Sequence, residues 1–245
     1  MRIDSDCTGL NTINIALGLI GFDVVDEFAS EKDRWTRHVL RHNFKVGTVF
    51  KDSFCRDDAH LPDVDLYTAG PPCQPFSVAG LNCGVSDIRG IVFVRVLQVI
   101  AKKRPATFLI ENVVGLKTRH PAFYTLIIKF LQTLKDPGGS KTYKVRARVM
   151  NTKDFGGLPQ SRPRVYIVGW KRKKEVVDFE WPEALRCASL RSVVNIGETG
   201  DISALSSASK TTKANLTLAL QSWLADPVLV AKANKVCCAQ FVSKV

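Results

Sequence analysis

Three observations in the sequence predict an α/β fold: a doubly wound, mostly parallel sheet with helices on both faces. Short runs rich in β-branched and aromatic residues alternate with stretches of helical periodicity from residue 1 to about 170. Acidic residues recur just past the apolar runs, at Glu31, Asp52 and Glu111. The first run turns through Thr8-Gly9 into an amphipathic stretch, which is the opening of a Rossmann-like unit.

The elements follow in order. A first strand near Ile3–Cys7 leads to a helix carrying Ile13, Ala16, Leu17 and Ile20. Phe22–Phe28 reads as the second strand, with Glu31 beyond its end, and residues 33–42 as a helix. A short third strand near Val46–Phe50 precedes Asp52, and a fourth near Val64–Ala69 delivers Pro71-Pro72-Cys73-Gln74-Pro75-Phe76-Ser77. Ile91–Ala101 is helical, Thr107–Ile110 is the fifth strand ending at Glu111-Asn112, and a helix spans Phe123–Leu134 until Asp136-Pro137-Gly138-Gly139 stops it. Strands at Tyr143–Val149 and Val165–Trp170 flank a loop at Asn151–Arg164. Residues 1–170 are expected to form the catalytic and ligand-binding domain. Residues 171–245 form a poorly defined basic segment in which Ser203–Thr212 reads as a linker and Leu216–Ala231 has some helical periodicity.

With 245 residues and 45% hydrophobic content the chain can bury a full core. A formal charge of +12, from 35 basic and 23 acidic residues, favours a polyanionic partner, with nucleic acid the first candidate and a solvated basic surface the alternative. Seven cysteines without paired spacing suit a reducing compartment better than a disulfide framework or a zinc site. The charged start Met1-Arg2-Ile3-Asp4-Ser5-Asp6 does not resemble a signal peptide, and no apolar run approaches a membrane span. A soluble intracellular protein is expected, nuclear in a eukaryote and otherwise cytoplasmic, with no membrane partner and no metal.

Cys73 is the candidate nucleophile. Prolines cannot continue a ladder, so the thiol stands at a strand's carboxyl edge, where ligands of open α/β sheets bind; the alternative is a buried structural cysteine. Glu111 lies 111 − 73 = 38 positions on, one helix and one strand, so a right-handed crossover brings both to one edge. A thiolate beside a carboxylic acid can add to an electron-poor ring while a ring nitrogen is protonated. Cytosine is such a ring: addition at carbon 6 makes carbon 5 nucleophilic enough to accept a methyl group. Glu111 alone also reads as a capping or salt-bridged carboxylate.

Taken together, Pro72-Cys73-Gln74, Glu111-Asn112-Val113 and Gln160-Ser161-Arg162-Pro163-Arg164, with Asp87-Ile88-Arg89-Gly90 between the first two, resemble the ordered motifs of the cytosine-5 DNA methyltransferase family. The resemblance covers residues 1 to about 170. It implies an S-adenosylmethionine-dependent methyltransferase fold and DNA whose target cytosine is flipped from the duplex. Residue by residue, it makes Cys73 the nucleophile, Glu111 the partner of ring nitrogen 3, and Arg162 and Arg164 the supports of base and thiolate. On the substrate side it implies Gln74, Ser77, Arg89, Asn112 and Gln160, with Asn112 bracing the loop around Pro72. Around the donor it implies Cys7, Gly9, Leu10, Glu31 for the ribose, Lys32, Asp52 for the adenine amine, Gly70, Pro72 and Val92.

Two departures stand out. The family's Asp-x-Phe-x-Gly-x-Gly-Gly appears here as Ser5-Asp6-Cys7-Thr8-Gly9-Leu10-Asn11-Thr12, where Gly9 keeps close backbone approach and Asn11 is the residue that tolerates a glycine-like conformation. The family's target-reading region and final motifs are not recognised in residues 171–245, which leaves a fragment or a divergent member as alternatives. The competing functions are a tRNA cytosine-5 methyltransferase of the same family and a catalytically silent nucleic-acid-binding remnant.

Overall fold

A computed structural model describes residues 1–73, 88–172 and 179–188. A compact unit spans Met1–Cys187; the linker and helix expected at 203–231 lie outside the described residues.

The sheet has seven strands: β1 Arg2–Asp6, β2 Val25–Ser30, β3 Val46–Phe50, β4 Leu66–Ala69, β5 Thr107–Val113, β6 Tyr143–Asn151 and β7 Pro163–Lys171. Their order is β3-β2-β1-β4-β5-β7-β6. The first five run parallel, and β7 enters antiparallel between β5 and β6. Strand order reverses between β1 and β4, the switch point at which such sheets open a crevice. The helices are α1 Thr12–Leu19, α2 Arg34–Asn43, α3 Ile88–Lys103, α4 Gly115–Thr118, α5 Pro121–Thr133 and α6 Thr152–Phe155, with 3-10 turns at Ser53–Cys55 and Asp58–His60. Among the described residues no helix is long and apolar enough to cross a membrane.

Of the boundaries that differ from the sequence expectation, three have a local cause in the backbone bonding. The second strand starts at Val25, not Phe22, because Gly21, at φ 91°, closes α1 and the Phe22 amide bonds the Leu17 carbonyl at 3.0 Å. The fifth strand runs past Ile110 to Val113, because β7 supplies partners for Glu111, Asn112 and Val113. The loop expected at Asn151–Arg164 shortens to α6 and its flanks, since β6 and β7 pair out to Asn151↔Pro163.

The larger part of the core lies where α3 and α5 cover the sheet. Phe93, Val96, Val99 and Ile100 of α3 and Ile127 and Leu131 of α5 bury against Phe108, Ile110, Val165 and Ile167. Each such large side chain contributes roughly 1.5–3 kcal/mol. Phe108 packs edge-on to Tyr143 with centroids 5.0 Å apart. Across the ladder from Phe108 stands Gly169, where a Cβ would fall 2.2 Å from the Phe108 ring, so the aromatic pair depends on a glycine there.

Registration carries the fold to the site. Phe50, Ser30, Asp6, Ala69 and Ile110 are successive partners across five parallel strands. The residues just beyond this row, Glu31, Cys7, Gly70 and Glu111, therefore emerge together along one edge of the sheet.

Candidate active site

That edge opens a cavity of about 850 Å³, within the range of small-molecule sites. Its walls include Cys7, Glu31, Lys32, Asp52, Gly70 and Pro72 toward β1–β4, Val92 from α3, and Cys73, Glu111, Arg162 and Arg164 toward β5 and β7. Eleven of the residues singled out in the sequence thus share one cleft.

The wall at β5 and β7 rests on strand register. Glu111 stands opposite Tyr166 in the antiparallel β5–β7 pair, so Arg164, two residues before Tyr166, lies diagonally across from it on the same face. Arg164 Nε meets Glu111 Oε1 at 3.0 Å, both side chains partly exposed to the cleft. Arg164 Nη1 also bonds the Pro163 carbonyl at 2.8 Å, which limits the guanidinium's swing. Arg162 is placed by its main chain: its amide donates to Asn151 Oδ1 at 2.8 Å, from the end of β6.

Cys73 follows Pro71 and Pro72 off the end of β4 and is half-buried. Asn112 is 1% exposed and absent from the cavity wall. Its Nδ2 donates to the Pro71 carbonyl at 3.1 Å, while its Oδ1 accepts the Val113 amide at 2.8 Å. β5 thereby holds the loop that presents the thiol.

The opposite wall is built on main-chain donors. Glu31 accepts from the Gly9 amide on Oε2 and the Asp33 amide on Oε1, each at 2.9 Å. Asp52 accepts the Phe54 amide at 3.1 Å, and Lys32 Nζ lies 3.9 Å from Asp52 Oδ2. The turn after β1 is left-handed at Cys7 (φ 54°), Gly9 (φ 58°) and Asn11 (φ 55°). Asn11 does here what glycine usually does, and its side chain bonds Asp26 at 2.8 Å. Burial pushes the Cys7 thiol up to about 12, with Asp6 and Glu31 adding to the effect, so Cys7 stays protonated at neutral pH.

Other predicted positions fall elsewhere. Gly9 acts through its amide on Glu31 and is not part of the wall. Leu10, between the left-handed Gly9 and Asn11, is 56% exposed and also outside it. Gln160 is exposed and likewise not a wall residue. Arg89 lies in the first turn of α3, and Gln74 and Ser77 lie outside the described residues. Sequence reading passed over Ser30, Ser53, Phe54, Pro71 and Ile91, which complete the wall. Strand-end position was the available signal for Ser30 and Pro71; Ser53 and Phe54 sit in a 3-10 turn without a distinctive motif. Among the described residues no three His, Cys, Asp or Glu side chains are grouped as metal ligands.

Residues 1–227 match the family described as C-5 cytosine-specific DNA methylase. The chain is 40% identical over 171 residues to the type II methyltransferase M.NgoBI of Neisseria gonorrhoeae, covering 70% of this chain and 50% of that protein. It is 35% identical over 188 residues to the type II methyltransferase M.HaeII of Haemophilus aegyptius, covering 77% and 55%. The chain thus spans about half the length of these relatives. Among solved structures, a mutant DNMT2 of Spodoptera frugiperda shares the fold at TM-score 0.58 and 21% identity, over 82% of this chain and 60% of that one. The Dnmt2 methyltransferase of S. pombe does so at TM-score 0.53 and 19% identity, over 74% and 51%. With 227 of 245 residues inside the match, the chain belongs to the C-5 cytosine-specific DNA methylase family.

Proposed function

We propose that this chain carries the catalytic and donor-binding part of a DNA cytosine-5 methyltransferase that uses S-adenosylmethionine. The observation that supports it most is the convergence of Cys73 and the Glu111–Arg164 pair on the same cavity as Glu31 and Asp52. The similarity to type II methyltransferases supports a DNA substrate, and such a substrate implies an intracellular site of action.

The donor set suits S-adenosylmethionine. Glu31 spends one lone pair of each oxygen on a main-chain amide, leaving acceptor capacity for a ribose diol. Asp52 offers a carboxylate to an adenine amine. A Cβ at Gly70 would lie 3.8 Å from the Cys7 carbonyl and 4.0 Å from Glu111 Oε2, so Gly70 stands at the passage between the two halves. Cys7, Glu31, Asp52, Gly70, Pro72 and Val92 would hold the donor, which when bound supplies an electrophilic methyl group.

The chain's own residues supply the rest. The Cys73 thiolate, the nucleophilic form, forms a bond to carbon 6 of a flipped cytosine. The electron pair of the 5,6 double bond moves toward ring nitrogen 3, where Glu111 places a proton. Carbon 5 is then nucleophilic. Once carbon 5 is methylated, loss of its proton to water rebuilds the 5,6 double bond, the sulfur–carbon 6 bond breaks with Cys73 leaving as thiolate, and ring nitrogen 3 returns its proton to Glu111. Arg164 orients Glu111, and Arg162 lines the same wall to clamp the base.

The test is covalent trapping on DNA containing 5-fluorocytosine, with radiolabelled S-adenosylmethionine. Fluorine blocks the final elimination, so a denaturation-resistant adduct that Cys73→Ala removes supports the assignment. A folded chain that forms none on DNA would refute it, and an adduct on folded tRNA instead would move the substrate to RNA.

A further inference from the structure

Arg56 has no part in the chemistry above, yet its side chain is fully buried beneath the donor half of the cleft. Its guanidinium grips both oxygens of Asp6 at the end of β1, with Nη2–Oδ2 at 2.7 Å, and Nη1 also donates to Ser30 Oγ at the end of β2. Nε reaches Asp58 Oδ1 at 3.3 Å. Behind it, Arg95 of α3 donates two 2.6 Å bonds to Asp58 and a 3.0 Å bond to the Ser53 carbonyl. Tyr67 of β4 donates to Asp6 Oδ2 at 2.7 Å. The Arg56 guanidinium lies 4.5 Å from the centroid of the Phe28 ring and 5.6 Å from that of Phe50.

A chain selected for stability alone has little reason to bury four alternating charges, since apolar residues of similar volume often serve as well. What the charges provide is geometry, because a planar guanidinium binds several acceptors at fixed relative positions. Two of the anchored groups, Ser30 Oγ and the Ser53 carbonyl, belong to cavity-wall residues next in sequence to Glu31 and Asp52. Those two acids lie just past the ends of different strands, β2 and β3; the Glu31 amide bonds the Phe50 carbonyl at 3.2 Å, while among the described residues the bonds and ion pairs of the two carboxylates are to nearby amides and Lys32.

We propose that Arg56, backed by Asp58 and Arg95, is a positioning residue for the methyl donor, holding Glu31 and Asp52 at the separation that the donor's ribose and base require. The role rests on the donor-site reading above. It also ties that wall to α3, the helix that carries Val92 into the cavity.

The test is calorimetric titration of the whole chain with S-adenosylhomocysteine, the donor without its methyl group, alongside the donor dependence of adduct formation. Arg56→Lys keeps the charge but loses the planar fork that holds both Asp6 oxygens while reaching Ser30 and Asp58, and the expected result is binding at least tenfold weaker. The double variant Asp6→Leu/Arg56→Met leaves neither partner of that pair as an unmatched charge, and the same loss is expected. Tyr67→Phe, which removes one bond to Asp6 alone, should stay within about threefold. At saturating donor the adduct rate should match the unaltered chain, whereas general destabilisation would lower both readouts. Arg95→Gln, at the partly solvated end of the network, keeps the test available where the buried variants do not fold, again with tenfold weaker binding expected. Unchanged affinity in the folded Arg56 or Arg95 variants overturns the positioning role. Absence of binding by the unaltered chain overturns the donor site itself, and the role with it.

Discussion

The donor half of the cleft, at the ends of β1, β2 and β3, is walled by acids held on main-chain amides above a buried layer of charge. The catalytic half, at β4, β5 and β7, relies on a cross-strand ion pair open to the cavity and one buried asparagine. The first half is anchored from below and has polar capacity to spare. The second is set by antiparallel register, which puts Arg164 diagonal to Glu111 without any buried charge. One sheet edge can thus carry a wall suited to binding beside a wall suited to proton transfer.

The largest break in that comparison should come from Glu111→Gln. The amide keeps the shape and can still meet Arg164, but it cannot deliver a proton to ring nitrogen 3. Loss of a general acid of this kind lowers turnover by about 10²–10⁴-fold. Donor affinity measured by calorimetry should stay within about twofold, because Glu31 and Asp52 are untouched. A comparable fall in donor affinity would mean that the two walls are not separable.

Asn112→Asp is expected to have a smaller effect, and on stability first. The carboxylate can still accept the Val113 amide but cannot donate to the Pro71 carbonyl, leaving a buried acceptor unpaired beside an anion. That costs about 1–3 kcal/mol, read as a lowered urea midpoint, and adduct formation should slow because Pro71 lies two residues before Cys73. An unchanged midpoint with slowed chemistry would instead make Asn112 a direct substrate contact.

The sequence reveals the catalytic wall better than the donor wall, for physical reasons. Cys73, Glu111 and Arg164 sit in compact motifs, and their convergence follows from one crossover and one antiparallel pairing. The parallel sheet was legible for the same reason: apolar runs separated by helical periodicity leave few alternatives. Arg56 was invisible because its partner Asp6 is 50 residues away and its neighbours Asp57 and Asp58 make it look like part of a solvated charged loop. Asn11 could be guessed as a stand-in for glycine, but the exposure of Leu10 follows from a backbone turn that composition does not encode.

The smallest effect sharpens the comparison through pH. Asp4, in the middle of β1, is 3% exposed, and its Oδ1 has no hydrogen-bond partner. It faces a small hollow edged by Pro62, Val64, Tyr67, Val99, Lys103 and Pro105. Burial raises its carboxyl to about 8, against the opposing pull of a bond from the Phe28 main chain and the nearby Arg56, with Glu27 and Asp6 adding to the rise. The unfolded chain releases that proton near the ordinary value of about 3.9. Between these two values the unfolded state binds fewer protons than the folded one, so this carboxyl makes stability fall as pH rises. Its favourable contribution is complete below about pH 4 and lost by about pH 8. Asp4→Asn cannot titrate and carries only a constant offset from its own buried amide. Relative to the unaltered chain, the variant should therefore gain roughly 1–3 kcal/mol between pH 5 and pH 8, less than the full shift implies because local water and relaxation soften burial. Parallel urea titrations at the two pH values read this difference directly. A difference that stays constant with pH would mean that Asp4 is ionised in the folded protein, and that the charged layer under the donor wall extends two residues further down β1, from Asp6 to Asp4.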